Sequence, residues 1–290
     1  MEKTDVPGGF ADLVKAVIKE PAHVAAGSEI WDKFVRVILM GGSRYDTEIT
    51  FLVNILKSTK LLDLNYVNSI NGEKWREEIE AFLKERLSRI SDEESSEIIN
   101  SVLGDLFRIS ASLKGSARFF RDKKLIEHIG ILTKTKESTG TLIEDIVNSE
   151  DVPGVKYTKV IMWLHSIGRG KDFAPPSRHV KDFVNKDIGP YYQFYDDDKY
   201  FMGKMNEVTA QLNIRNATVM DVARAAFYYR TLKSMLPQRS KQSKAFTPLQ
   251  LLKFMKSSKL SFAALSEALE DSEKKHNLME KINRFMDKHA

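Results

Sequence analysis

Cysteine is absent from the 290 residues, which removes disulfides, cysteine-ligated zinc and a thiol nucleophile together. A cysteine-free chain fits a reducing compartment, and a cytoplasmic location is the expectation. Proline, at 8 residues, and glycine, at 15, are scarce enough to leave room for long helices. No apolar stretch approaches the roughly 18 residues of a membrane span, so no membrane partner is expected. The opening residues include Glu2, Lys3 and Asp5 and lack the apolar centre of a secretory signal. Neither a phosphate-cradling glycine loop nor a nucleophile-elbow serine occurs, which leaves phosphoryl transfer, nicotinamide chemistry and serine hydrolysis without their usual sequence basis. The histidines His23, His128, His165, His179, His276 and His289 include no pair spaced i, i+4. No metal and no cofactor are therefore expected.

Acidic residues are missing from one long stretch. Residues 222–266 contain no Asp or Glu but nine cations: Arg224, Arg230, Lys233, Arg239, Lys241, Lys244, Lys253, Lys256 and Lys259. Such a one-sign field repels itself unless an anion offsets it. Two readings stand, a solvated basic face and a surface for a polyanion. The overall formal charge of +5 permits the second without demanding it.

What is present is helical pattern. Hydrophobic residues make up 42% and charged residues 29%, a globular balance rather than a disordered one. Ser28 precedes Ile30, Trp31, Phe34, Val35 and Ile38 in a 3.6-residue rhythm, and Trp75, Ile79, Phe82 and Leu83 form another stripe. Ser91 and Glu94 have capping-box spacing ahead of a helix expected to reach Leu113. Thr247-Pro248 has the cap-then-proline order of a helix start, and 261–288 reads as helix with a break near Asp271. No run alternates like a strand, so the expected class is all-α. The expected domains are a body over 1–236, a basic linker over 237–246 and a small helical appendage over 247–290, itself a possible surface for a protein partner.

Residues 142–184 have a particular order of parts. A short helix over 142–147 leads to the turn Val152-Pro153-Gly154-Val155, and a second helix begins near Lys156 and ends at Gly168. A loop then reaches Pro175-Pro176-Ser177 and opens a third helix at Arg178-His179-Val180. A glycine-containing turn exposes the amides at the second helix's start, where the positive end of the helix dipole also lies. Such an end holds a phosphate without reading base sequence. Gly154, Val155, Lys156, Tyr157 and Lys159 are the hairpin candidates for DNA contact. Arg178, His179, Arg230, Lys233, Arg239, Lys241 and Lys244 extend that footprint.

With those parts, 28–236 resembles the helix–hairpin–helix DNA glycosylase superfamily, in particular the branch that removes oxidised guanine. The resemblance implies a DNA partner, a glycosylase-like multi-helix fold and excision of a damaged base. The pattern departs at the chemistry: Lys156 stands at the second hairpin glycine, Thr158 at the lysine of bifunctional members, and Ser177 at the aspartate. A neutral serine cannot stabilise positive charge on the sugar. Either the chemistry is lost, or Asp172 or Asp182 supplies the carboxylate, with Lys159 the nearest lysine. A non-catalytic DNA binder and an all-α protein-interaction module are the alternatives. The aromatic group Tyr191, Tyr192, Phe194, Tyr195, Tyr200 and Phe201 reads as core or as a base-stacking surface. Asp196-Asp197-Asp198 reads as a helix cap or a cation ligand.

Overall fold

The computed structural model describes residues 6–20, 22–40, 46–188, 198–236, 246–270 and 272–289. The chain is all-α, with no strand among the described residues. In order the helices are α1 (Phe10–Lys19), α2 (Ser28–Leu39), α3 (Asp46–Lys57), α4 (Leu64–Ser69), α5 (Gly72–Leu87), α6 (Glu93–Gly104), α7 (Leu106–Asp122), α8 (Leu125–Leu132), α9 (Lys136–Val147) and α10 (Tyr157–Ser166). Then come α11 (Arg178–Asp182), a π-helical segment (Phe183–Ile188), α12 (Asp198–Leu212), α13 (Val219–Met235), α14 (Pro248–Ser257), α15 (Phe262–Glu270) and α16 (Ser272–His289). None of the described helices is long and apolar enough to cross a membrane.

The chain divides into two compact units. One is the continuous segment His23–Arg169; the other joins Met1–Ala22 to Gly170–Ala290.

The continuous unit holds α2 to α10 around all three tryptophans, each fully buried with its indole N–H spent on a backbone carbonyl. Trp31 donates to Leu62 at 2.8 Å, Trp75 to Leu61 at 2.7 Å and Trp163 to Ile30 at 3.0 Å. The rings of Trp31, Phe34, Phe120 and Trp163 pack together at centroid distances of 4.8–6.4 Å, Trp31 and Phe34 stacked and the other pairs edge-on or tilted. Burying each such ring stabilises the unit by about 1.5–3 kcal/mol. The unit's two ends meet, Ala25 N–H donating to Ile167 O at 3.2 Å.

Two local expectations shift. Ser28 opens α2 but Gly27 is its cap, and α6 is capped by Asp92, whose carboxylate accepts from Ser95 N–H at 2.8 Å, rather than by Ser91. The single helix expected to end near Leu113 breaks at Asp105, and its second half, α7, runs past Gly115 to Asp122. Helix interiors absorb a glycine when a neighbouring backbone packs tightly against it, and that is the situation of Gly115 below.

The other unit is assembled from both chain termini. Phe10, Leu13, Val14 and Val17 of α1 share a core with Phe183, Val222, Ala226, Tyr229, Leu251, Phe254, Phe262 and Ile282. Phe10 stacks on Phe183 at 4.5 Å, and the Glu20 carboxylate accepts from Phe262 N–H at 2.8 Å. Thr218 with Asp221 and Thr247 with Gln250 form capping boxes, the second with Pro248 in its first turn as expected.

The expected division at 236 therefore does not hold. Helices α14 to α16 are no appendage: their apolar stripes complete the core that α1 and α13 begin. Of the expected linker, 237–245 lies outside the described residues. Its last residue, Phe246, is buried and stacks on Tyr229 at 6.4 Å.

Candidate nucleic-acid interface

The hairpin is built from α9, a turn and α10. Thr135 and Ser138 close a capping box at the start of α9, and the apolar side chains of α9 (Leu142, Ile143, Ile146) and α10 (Val160, Ile161, Leu164) are buried as the two helices pack together. Between them Val152 N–H donates to Ser149 O at 3.2 Å and Val155 N–H to Val152 O at 3.5 Å. Gly154 sits at φ 78°, a left-handed conformation that costs an L side chain about 1–2 kcal/mol. The two valines are buried, and between them Pro153 and Gly154 face solvent.

Helix α7 seats this turn. Ser112 Oγ donates to Pro153 O at 2.6 Å, and Arg118 pairs with Asp151. A Cβ on Gly115 would lie 1.5 Å from the Asp151 carbonyl oxygen, so only hydrogen fits there. A terminal nitrogen of Arg108 lies 3.8 Å from the Cβ position of Gly154, while its guanidinium is held by Asp105 at 2.8 and 2.9 Å. The residue before it, Phe107, is 74% exposed with the Arg76 guanidinium over its ring at 5.7 Å.

Helix α10 starts without a side-chain cap. Its N-cap is Lys156, in extended conformation and exposed, and a lysine has no acceptor to offer the first-turn amides. Tyr157, Thr158 and Lys159 of that first turn are half-buried. The sequence-predicted hairpin residues are thus brought together at one solvent-facing helix start, except that the Val155 side chain points into the core.

The remaining candidates lie in the other unit and fare differently. Ser177 is the N-cap of α11 but makes no side-chain capping bond, and its buried Oγ finds no partner among the described residues. Asp172 is half-buried with no hydrogen bond or ion pair among the described residues. Asp182 is 9% exposed and already neutralised by Lys186 at 3.0 Å and Arg230 at 3.5 Å. Arg178 is exposed. His179 is half-buried, its ring edge-on to Phe227 at 5.8 Å, and burial holds its pKa below the ordinary histidine value.

The basic stretch is not one solvated face. Arg230, 9% exposed, also binds Asp187 at 3.1 Å, and Lys233 reaches Asp187 at 2.8 Å and the Tyr229 hydroxyl at 2.9 Å. Burial opposes the charged form of Lys233, but those two bonds outweigh it and raise its pKa. Arg224 lies 3.8 Å from Asp221 and donates to the Glu20 carbonyl at 3.2 Å. Asp182 and Asp187, which offset Arg230 and Lys233, lie some forty residues earlier, beyond a linear reading of 222–266. Arg239, Lys241 and Lys244 lie outside the described residues.

Phe201, Tyr228 and Tyr229 are core, and Tyr200 is half-buried. Tyr191, Tyr192, Phe194, Tyr195, Asp196 and Asp197 lie outside the described residues, as does the side chain of Asp198. Phe107, Arg108 and the Ser112–Gly115 seat escaped the sequence reading. The run of small residues Ser110, Ser112, Gly115 and Ser116, each buried and on one helix, was the available signal of close backbone approach. Comparison of the chain with family models, with curated proteins and with solved structures finds no match.

Proposed function

We propose that the chain binds the sugar–phosphate backbone of DNA through the hairpin 151–159, in a body of the helix–hairpin–helix glycosylase kind. One observation carries this reading: α10 begins at a solvent-facing end, reached through Gly154 at φ 78°, whose cap residue, exposed Lys156, makes no side-chain capping bond. The first-turn amides and the helix dipole present partial positive charge, and Lys156 adds a full one.

Binding needs no carboxylate, whereas cleaving an N-glycosidic bond needs one near the sugar. Ser177 is neutral and Asp182 is taken up by Arg230 and Lys186, which favours a binder over an enzyme. Asp172 is the acid of that loop left without an ion pair among the described residues, so an excision reaction would depend on it. Incubating the protein with duplexes carrying single damaged bases tests this directly. Release of a base by the native chain, abolished in Asp172→Asn, establishes excision; no release from any duplex leaves the binder.

The binding itself is tested by fluorescence anisotropy of a labelled duplex across a salt series. Affinity falls steeply with salt, and Lys156→Ala lowers the log–log slope by about 1. Duplex binding that is insensitive to salt, or unchanged in Lys156→Glu, refutes the hairpin's role.

A further inference from the structure

A separate cavity of about 530 Å³ opens in the continuous unit between α4, the end of α7 and the start of α8. Its floor is apolar, formed by Leu64, Phe120 and Ile126, and its polar wall carries Asn65, Asn68 and Ser69. Arg121 and Lys124 stand at its rim, opposed by a single lining carboxylate, Glu127. That volume suits a small organic ligand rather than a lone ion.

The rim is rich in positive charge. Lys114, whose ammonium donates to the carbonyls of Val67 and Ile70 at the end of α4, is desolvated, and its pKa is lowered first by burial and then by Arg121 and Arg118. Three cations of α7 therefore crowd this side of the unit. Arg118 is matched by Asp151, and Arg121 gives only its Nε to Asp122, at 2.9 Å, so the outer nitrogens of the guanidinium lie outside that bond.

Lys124 is held at φ 46°, a conformation that glycine adopts freely and lysine does not. Strain of this kind persists where the surroundings fix the residue, and it gathers at ligand sites. The residue also caps α8 without a side-chain bond, so the positive end of that helix adds to the field. On the polar wall Asn68 gives its amide N–H to Ala117 O at 3.1 Å, and no hydrogen bond to its side-chain oxygen is found among the described residues.

From these features we infer that the α4–α7–α8 cavity binds a phosphate ester of nucleotide size. Arg121 and Lys124 hold the phosphate, and the apolar floor with the Asn65 and Asn68 amides receives the rest of the molecule. This site is independent of the hairpin. A backbone phosphate of DNA has the same chemistry, and the test separates the two sources.

Calorimetric titration of the full chain uses AMP, inorganic phosphate and a short DNA duplex as probes. AMP binds more tightly than inorganic phosphate, because the floor and the amides contribute. The double variant Arg121→Gln, Lys124→Gly weakens AMP by at least about tenfold while leaving duplex affinity within about twofold. Glycine suits the backbone at 124, so this variant keeps its fold, and an unchanged circular dichroism melt checks that. Lys156→Ala has the opposite pattern, weakening the duplex and sparing AMP. The inference is overturned by AMP binding that is absent at about 10 mM or unchanged in the double variant. It is equally overturned if the double variant weakens the duplex as much as AMP, since the rim then serves DNA.

Discussion

The seat of the hairpin on α7 makes one substitution decisive, because two ordinary effects oppose each other at Gly115. Helix propensity alone favours Gly115→Ala by about 1 kcal/mol, since glycine in a helix interior carries the larger entropy loss. Packing opposes it. The new Cβ would lie 1.5 Å from the Asp151 carbonyl oxygen, against the 3.4 Å of ordinary contact, so the turn must retreat by about 2 Å. Both atoms belong to backbone or sit directly on it, and no rotamer relieves the overlap. Retreat breaks the Ser112–Pro153 bond, worth about 1 kcal/mol. It also partly exposes Val152 and Val155, each worth about 1.5–3 kcal/mol when fully buried.

The expected net effect of Gly115→Ala is a loss of about 3 kcal/mol, the packing losses exceeding the propensity gain. Gly130→Ala in α8 is the control: its Cβ meets only the end of Arg169 at 3.8 Å, so propensity acts alone and the variant gains up to about 1 kcal/mol. Urea unfolding followed by tryptophan fluorescence reads both variants. Trp31, Trp75 and Trp163 all belong to the unit that holds the hairpin, so the signal reports that unit. A Gly115→Ala protein as stable as the native chain, or more stable, would falsify the seating of the turn on α7.

Trp163→Phe keeps the ring packing of the aromatic cluster but loses the bond to Ile30; a chemical melt should place it about 1–3 kcal/mol below the native chain, and no change would mean the bond contributes nothing. Arg230→Ala leaves Asp182 and Asp187 buried with one cation each in place of two, and a loss of about 3 kcal/mol is expected from circular dichroism melts. Stability retained in full would assign that network to the surface. His179 should make stability depend on pH. Burial lowers its folded pKa, so the unfolded chain binds the extra proton more readily, and stability drops as pH falls from the ordinary value near 6.5 toward the lowered one. His179→Gln should flatten that part of the pH profile; a profile identical to the native one would count against the burial of the ring.

Local signals were legible and long-range ones were not. The stripe from Ile30 to Ile38 and the Thr247-Pro248 start each depend on neighbours within a turn or two, and each appears where the pattern put it, while Asp271, where a break is expected, lies outside the described residues. The hairpin's turn and the start of α10 were readable for the same reason. By contrast, nothing in 222–266 announces that Asp182 and Asp187 come back to Arg230 and Lys233, or that the Glu20 carbonyl accepts from Arg224. Sequence proximity made Arg230 look like surface; tertiary contact makes it core. Likewise α14 to α16 looked detachable because their partner, α1, lies more than two hundred residues earlier. Helix α7 continued through Gly115 because the Asp151 backbone fills the space a side chain would take, a contact that no local propensity encodes.

The interrupted make-up of the second unit also sets an order of events during synthesis. Phe10, Leu13, Val14 and Val17 emerge from the ribosome with no complementary surface, since every other member of their cluster lies beyond Gly170. At translation rates of about 5–20 residues per second, the intervening segment takes roughly 7–30 seconds to appear. For that interval a short amphipathic helix waits, greasy side outward, while the tryptophan-centred unit folds ahead of it. Chaperone dependence of this protein should therefore concentrate on α1, and slowing the ribosome downstream of Gly170 should aggravate it.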